Sequence, residues 1–99
     1  MPTQLRRYEV APGELDRLID WFPSLIPARR RYGFTIVFAY ADRDTNQFVW
    51  AVSHPGDFAA AEAEYSISPE RAAAFDGFES PVTAMHVAMV DDVVPATPG

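Results

Sequence analysis

An α+β domain built on one four-stranded antiparallel sheet is what this sequence predicts, and three observations predict it. Short strand-like runs alternate with segments of helical period in the order β-α-β-β-α-β. The two middle strand runs are separated only by the turn-forming stretch 42–46. The chain has 99 residues, of which 48% are hydrophobic and 22% charged, a globular composition too apolar for intrinsic disorder and a length suited to one domain over residues 1–99. A domain of this size hides only about two thirds of the surface its unfolded chain exposes, so its core is modest and a partner subunit would add to it.

The elements follow in order. Gln4 to Val10 is rich in β-branched and aromatic character and stops at Ala-Pro-Gly, which reads as the first strand. Pro12 suits a helix opening, and Leu15, Leu18, Ile19, Phe22, Leu25 and Ile26 then recur at three- and four-residue spacing. Acids Glu14 and Asp16 sit early and Arg29, Arg30 and Arg31 late, matching the helix dipole, so the arginine run reads as a solvated helix end. Pro23 and Pro27 interrupt that pattern, and an interior proline removes a hydrogen bond, so a bent helix or two short ones are expected, ended by Gly33. Phe34 to Ala41 and Gln47 to Ser53 form a hairpin around Asp42-Arg43-Asp44-Thr45-Asn46, and Pro55-Gly56 breaks the second strand. From Asp57 an Ala-rich helix runs to Tyr65. Ser68-Pro69-Glu70-Arg71 reads as an N-cap with proline at the first helical position, restarting a helix to about Phe75. Residues 76–82 form a loop, Thr83 to Val90 the last strand, and 92–99 a proline-bearing tail outside a core of about 4–91.

That order is the ferredoxin-like unit, with strand order 4-1-3-2 and both helices on one face. On the other face Val37, Ala39, Val49, Ala51, Ala84 and Ala88 are expected to leave apolar groups uncovered. A bare apolar sheet face needs another layer, and a second copy is the simplest source, so a homodimer is expected.

Composition also excludes. There is no cysteine, hence no disulfide, thiolate metal site or cysteine nucleophile. All eight basic residues are arginine, which removes lysine Schiff-base and P-loop chemistry. A net charge of −6 argues against a nucleic-acid partner, whose affinity comes from clustered cations. No apolar run approaches the roughly 18 residues of a membrane span, and the start MPTQLRR lacks a signal-peptide core, so a cytoplasmic protein with no membrane partner is expected.

Across the chain, Leu5-Arg6-x-Tyr8, Pro12-Gly13-x-Leu15-Asp16, Pro27 followed by Arg29-x-x-x-Gly33-Phe34, Phe48-Val49-Trp50 and Ser68-Pro69-Glu70-Arg71 together resemble the NIPSNAP family of the dimeric α/β-barrel superfamily. The similarity runs from about Leu5 to Val90. It implies a homodimer whose sheets face each other as a barrel, with a ligand cavity inside the barrel or between sheet and helices. Relatives in the superfamily include cofactor-free monooxygenases, polyketide cyclases, isomerases and haem-degrading enzymes. Two departures from the family pattern are Pro23 in the first helix and His54, where an aromatic would precede the proline.

Parity then selects candidates. His86 lies between Ala84 and Ala88 on one face of the last strand, with Met85, Val87 and Met89 opposite. Large apolar groups belong under the helices, which turns His86 into the barrel beside small neighbours. An imidazole of ordinary pKa near ~6.5 suits proton transfer, and a hydrogen-bonded histidine at the dimer interface suits the same position. Arg7 and Glu9 share a face of the central first strand, so His86, Arg7 and Glu9 form the candidate catalytic cluster, or an ion pair that fixes dimer register. Trp50, Tyr40, Trp21, His54 and Tyr65 are the candidate ligand contacts, with Asp57 near the same mouth, and aromatic core packing is the competing reading. Two histidines without metal-ligand spacing predict no metal site, and no cofactor is expected; a haem ligand at His86 has only the superfamily analogy behind it. Three functions follow: a cofactor-free acid/base enzyme on a small, largely apolar metabolite, a non-catalytic binding module, or a structural interaction dimer.

Overall fold

Strand β1, Thr3–Val10, runs down the middle of the sheet between β3 (Gln47–Ser53) and β4 (Val82–Val90), with β2 (Thr35–Asp42) at the far edge. The computed structural model describes residues 1–94, so of the expected tail residues 95–99 lie outside the described residues. All pairings are antiparallel and the order β2-β3-β1-β4 is the ferredoxin-like one the sequence predicts. Among the described residues no helix is long and apolar enough to cross a membrane.

Four helices pack on one face. The two prolines act as their spacing demands. Helix α1 (Leu15–Trp21) stops at a three-residue 3-10 turn, Phe22–Ser24, that absorbs Pro23, and α2 (Leu25–Arg31) restarts with Pro27 in its first turn, where a backbone N–H has no intrahelical partner to lose. At its end Phe34 N–H reaches the Arg29 carbonyl at 3.2 Å and Gly33 N–H the Arg30 carbonyl at 3.0 Å. Those two bonds make a Schellman cap, and Gly33 supplies its left-handed residue at φ 87°. Helix α3 (Phe58–Ser66) is capped by Asp57, whose Oδ1 accepts from Ala60 N–H at 3.0 Å. Helix α4 (Pro69–Phe75) is capped by Ser68, with proline at the opening position as expected. The hairpin turn is held by Asp42, whose Oδ1 accepts from the backbone of Asp44 and Thr45; the Thr45 side chain first, and these backbone bonds after it, keep its carboxyl below the usual carboxylate range.

The core lies between sheet and helices. Phe48, Trp50 and Val52 point inward from β3 and meet Leu15, Leu18, Phe22 and Leu25 on the helical stripe. Phe22 packs on both Phe48 (4.9 Å between centroids) and Trp50 (5.2 Å). Direct pairing of Arg7 with His86, and of Arg6 with Val87, places odd and even residues of β1 on opposite faces: Leu5, Arg7 and Glu9 share the open face with Ala84, His86 and Ala88. Met85, Val87 and Met89 lie on the helix side as predicted, yet remain about half exposed, because the helices stop short of the edge strand β4.

Strand β2 departs from the expected alternation. Ile36 pairs with Val52 but Phe38 pairs with Ala51, so Val37 is an extra, bulged residue and every later side chain changes face. Phe38 and Tyr40 therefore join Val49 and Ala51 on the open face, stacked at 5.2 Å, while Ala39 turns to the helix side opposite Trp50. Val37 and Ala39 were expected to line the open face; the bulge turns Ala39 away from it and brings two aromatics there.

Candidate ligand site between sheet and helices

Two places collect the chemistry-bearing residues, one on each face of the sheet. On the open face Arg7 stands directly across from His86, and His86 Nε2 lies 3.7 Å from Glu9 Oε2. The three predicted catalytic residues are thus brought together over a shallow depression that Leu5, Gln47 and Ala88 also line. The side chains are open to solvent, 71% exposed for His86 and 52% for Glu9. Tyr40 is on this face too, 68% exposed.

The second place is a cavity of about 200 Å³ on the helix side. Its sheet wall carries Arg6, Tyr8 and Trp50. Its helical walls carry Leu18, Trp21 and Phe22 from α1 and the 3-10 turn, Leu25 and Arg29 from α2, Tyr65 from α3, and Arg71 and Phe75 from α4. Trp50, Trp21 and Tyr65, proposed from sequence as ligand contacts, all line it. Trp21 Nε1–H donates to the Ala74 carbonyl at 2.7 Å and its ring stacks on Phe78, which ties the α4 end to α1.

Arg29 is the largest correction to the sequence reading. The run 29–31 was expected to be a solvated helix end, but Arg29 is only 3% exposed. Its spacing carried the signal: 15, 18, 22, 25 and 29 step by three and four along one helical stripe, which places Arg29 inside. The guanidinium lies over the Tyr65 ring at 4.1 Å, with Phe34 and Trp50 at 5.0 and 5.3 Å. Its charge is met by Glu62 of α3, whose two oxygens accept from Arg29 Nη1 and Nη2. Glu62 also lies 3.8 Å from Arg6, whose Nε–H donates to the Tyr8 hydroxyl at 2.9 Å.

Not every donor here is used. Arg29 Nε, Trp50 Nε1 and the Tyr65 hydroxyl are buried with no hydrogen-bond partner among the described residues. Trp50 is fully buried and Tyr65 2% exposed. Burial pushes the Tyr65 phenol above its ordinary pKa, opposed by the nearby Arg29 charge, so at neutral pH the group keeps its proton and remains a donor. Three unpartnered buried donors around one cavity are unusual, since buried polar groups nearly always find partners.

His54 is in neither place. Its Nδ1 accepts from Gly56 N–H at 2.9 Å, which leaves Nε2 protonated to donate to the Tyr32 carbonyl at 3.0 Å. Its ring meets Phe34 edge-on at 5.0 Å, which explains why a position expected to be aromatic tolerates imidazole. Asp57, expected near the same mouth, serves as the α3 cap.

Fold and site together define an α+β protein of ferredoxin-like topology with a small cationic and aromatic cavity beneath its helices. No family model matches the sequence, and a search of curated proteins finds no match. Solved structures give the likeness. A NIPSNAP domain protein from Burkholderia xenovorans superposes with a TM-score of 0.80 at 12% identity, covering 96% of this chain and 99% of that one. A NIPSNAP family protein of unknown function from Agrobacterium tumefaciens gives 0.83 at 12% identity, covering 98% and 94%. A putative antibiotic biosynthesis monooxygenase from Bacteroides thetaiotaomicron gives 0.73 at 16% identity, covering 99% and 94%. At such identities the likeness is one of fold, and it is the fold that the sequence resemblance implied.

Proposed function

We propose that this protein binds a small metabolite in the cavity between sheet and helices, and that it does so as a homodimer whose open sheet faces meet. The observation that carries the first part is the set of three buried, unpartnered donors around a cavity with aromatic walls. An apolar cavity with a few convergent polar groups is the usual form of a small-ligand site. Single-ring probes (phenol, benzamide and benzoate) are expected to raise the Tm and to perturb tryptophan fluorescence, because both tryptophans line the cavity. Leu25→Phe, which places a ring in that space, should stay folded by circular dichroism and lose the response. A panel that leaves both signals unmoved at millimolar concentration would sink the reading.

The dimer is supported by the open face itself. Leu5, Phe38, Tyr40, Val49, Ala84 and Ala88 make it apolar, and the opposite charges of Arg7 and Glu9 let it pair with its own copy about a two-fold axis. On this reading His86, Arg7 and Glu9 fix the interface. The sheet separates them from the cavity, so the acid/base role expected of His86 would require a ligand in the barrel instead. Sedimentation is expected to show a dimer at micromolar concentration for the native chain and a monomer for Ala88→Asp, which would bury an uncompensated charge. A native monomer, or an equally stable Ala88→Asp dimer, would refute the interface.

A further inference from the structure

We infer that the ligand of this cavity is an organic carboxylate carried on a flat apolar body of about one ring. The inference rests on the reading that the cavity is the ligand site and names the class of molecule that fills it.

Charge decides the sign. Arg6, Arg29 and Arg71 line the cavity, and the carboxylate among them is Glu62, already engaged by Arg29 and close to Arg6. Among the described residues Arg71 has no carboxylate within ion-pair distance; its guanidinium rests on the Phe75 ring at 4.4 Å. One acid against three guanidiniums leaves the site cationic, which rejects amines and favours an anion.

Hydrogen-bond chemistry decides the functional group. An arginine Nε and an indole Nε1 can only donate, and a tyrosine hydroxyl that keeps its proton donates as well. Each of the three belongs to a residue of the cavity wall and is itself enclosed and unpartnered, so a ligand that reaches any of them by displacing a neighbour must bring acceptors. A carboxylate offers two oxygens with about four lone-pair sites and forms charge-assisted bonds roughly twice as strong as neutral ones. Phosphate would bring a second charge and a third oxygen into a space whose remaining walls are mostly apolar, Leu18, Phe22, Leu25, Phe75 and Val82 among them, with Ser80 at one side.

Shape decides the rest. A dry cavity of ~150 Å³ is enough to take up benzene. The 200 Å³ here holds a single ring with a carboxyl group attached, and the aromatic side chains of Tyr8, Phe22 and Phe75 in its walls suit a planar body.

The experiment is an ¹H–¹⁵N titration of the two indole N–H signals of the full chain with benzoate, benzamide, benzyl alcohol and phenyl phosphate. Benzoate is expected to bind about tenfold or more tighter than benzamide, a difference of about 1.4 kcal/mol. It should shift the Trp50 Nε1–H signal strongly, because that donor gains its first acceptor, and the Trp21 signal little, because it already bonds Ala74. Arg71→Gln should lose most of the benzoate preference and keep benzamide binding. Benzamide or benzyl alcohol binding as tightly as benzoate would overturn the carboxylate assignment and leave the cavity as a ligand site. Phenyl phosphate binding tightest would overturn it in favour of a phosphoryl ligand. Failure of all four probes would overturn both readings.

Discussion

Glu62→Leu is expected to destabilise the domain by about 3 kcal/mol, a fall in Tm of more than about 10 °C for a chain of this length. The loss arises at Arg29, not at Glu62 itself. Arg29 is nearly fully buried on its helical stripe, and Glu62 takes both of its terminal nitrogens. Removing the acid strands a guanidinium among Tyr65, Phe34 and Trp50, whose ring faces attract a cation but replace only part of the carboxylate bond. Glu62 is itself partly exposed, which holds the effect at the low end of what breaking a buried pair costs. Combining Glu62→Leu with Arg29→Met should recover most of the stability, because a buried ion pair replaced as a unit by apolar groups is often neutral. Thermal unfolding of the single and double variants, read by circular dichroism without added ligand, makes the comparison. A double variant no more stable than Glu62→Leu would show that Arg29 holds the helices by its packing and not through its charge.

Gly33→Ala is expected to cost about 2–3 kcal/mol, and Gly13→Ala no more than about half of that. Both glycines have positive φ, 87° and 78°, so any side chain at either pays the left-handed penalty. They differ in surroundings. A Cβ on Gly13 would meet nothing within 4 Å, whereas one on Gly33 would sit 2.8 Å from His54 Nε2. The imidazole cannot swing aside freely, since its two nitrogens hold the Tyr32 carbonyl and the Gly56 N–H. Denaturant melts of the two variants separate backbone strain from the clash, and adding His54→Ala to Gly33→Ala should relieve the second part only. Equal losses for the two alanine variants would remove the clash from the account.

The sequence was readable wherever one physical rule acted alone. Parity along β1 and β4 places Arg7, Glu9 and His86 together because the strands are regular where those residues pair. The cap at Ser68, the proline opening α4 and the glycine closing α2 follow from local backbone chemistry that tertiary packing does not override. Legibility fails where two rules compete. At Arg29 the dipole rule for a cationic helix end and the stripe rule for a buried position both apply, and burial wins because Glu62 on α3 stands ready to pair with it. That partner is 33 residues away in sequence, and no local pattern announces it. The cavity is of the same kind: Trp50, Trp21 and Tyr65 could be named individually, but Arg6, Arg71 and Phe75 become its walls only when α4 folds across the sheet.

The bulge at Val37 means that the chemistry of the open face is set by a residue count as much as by residue identity. Strand β2 reads Thr-Ile-Val-Phe-Ala-Tyr-Ala-Asp, in which aromatics alternate with alanines. One unpaired position before Phe38 decides which of the two sets looks outward. With it, the rings lie on the open face, and Ala39 and Ala41 lie across from Trp50 and Phe48. Were Val37 paired across from Ala51 in regular register, the same letters would face the opposite way, with Phe38 across from Trp50 and Ala39 on the open face. Removing Val37 altogether would instead straighten the strand and keep both rings outward, because Ile36 and Phe38 already face opposite sides. Whether this one residue is paired or left over therefore decides if a partner copy would meet rings or a smooth alanine surface.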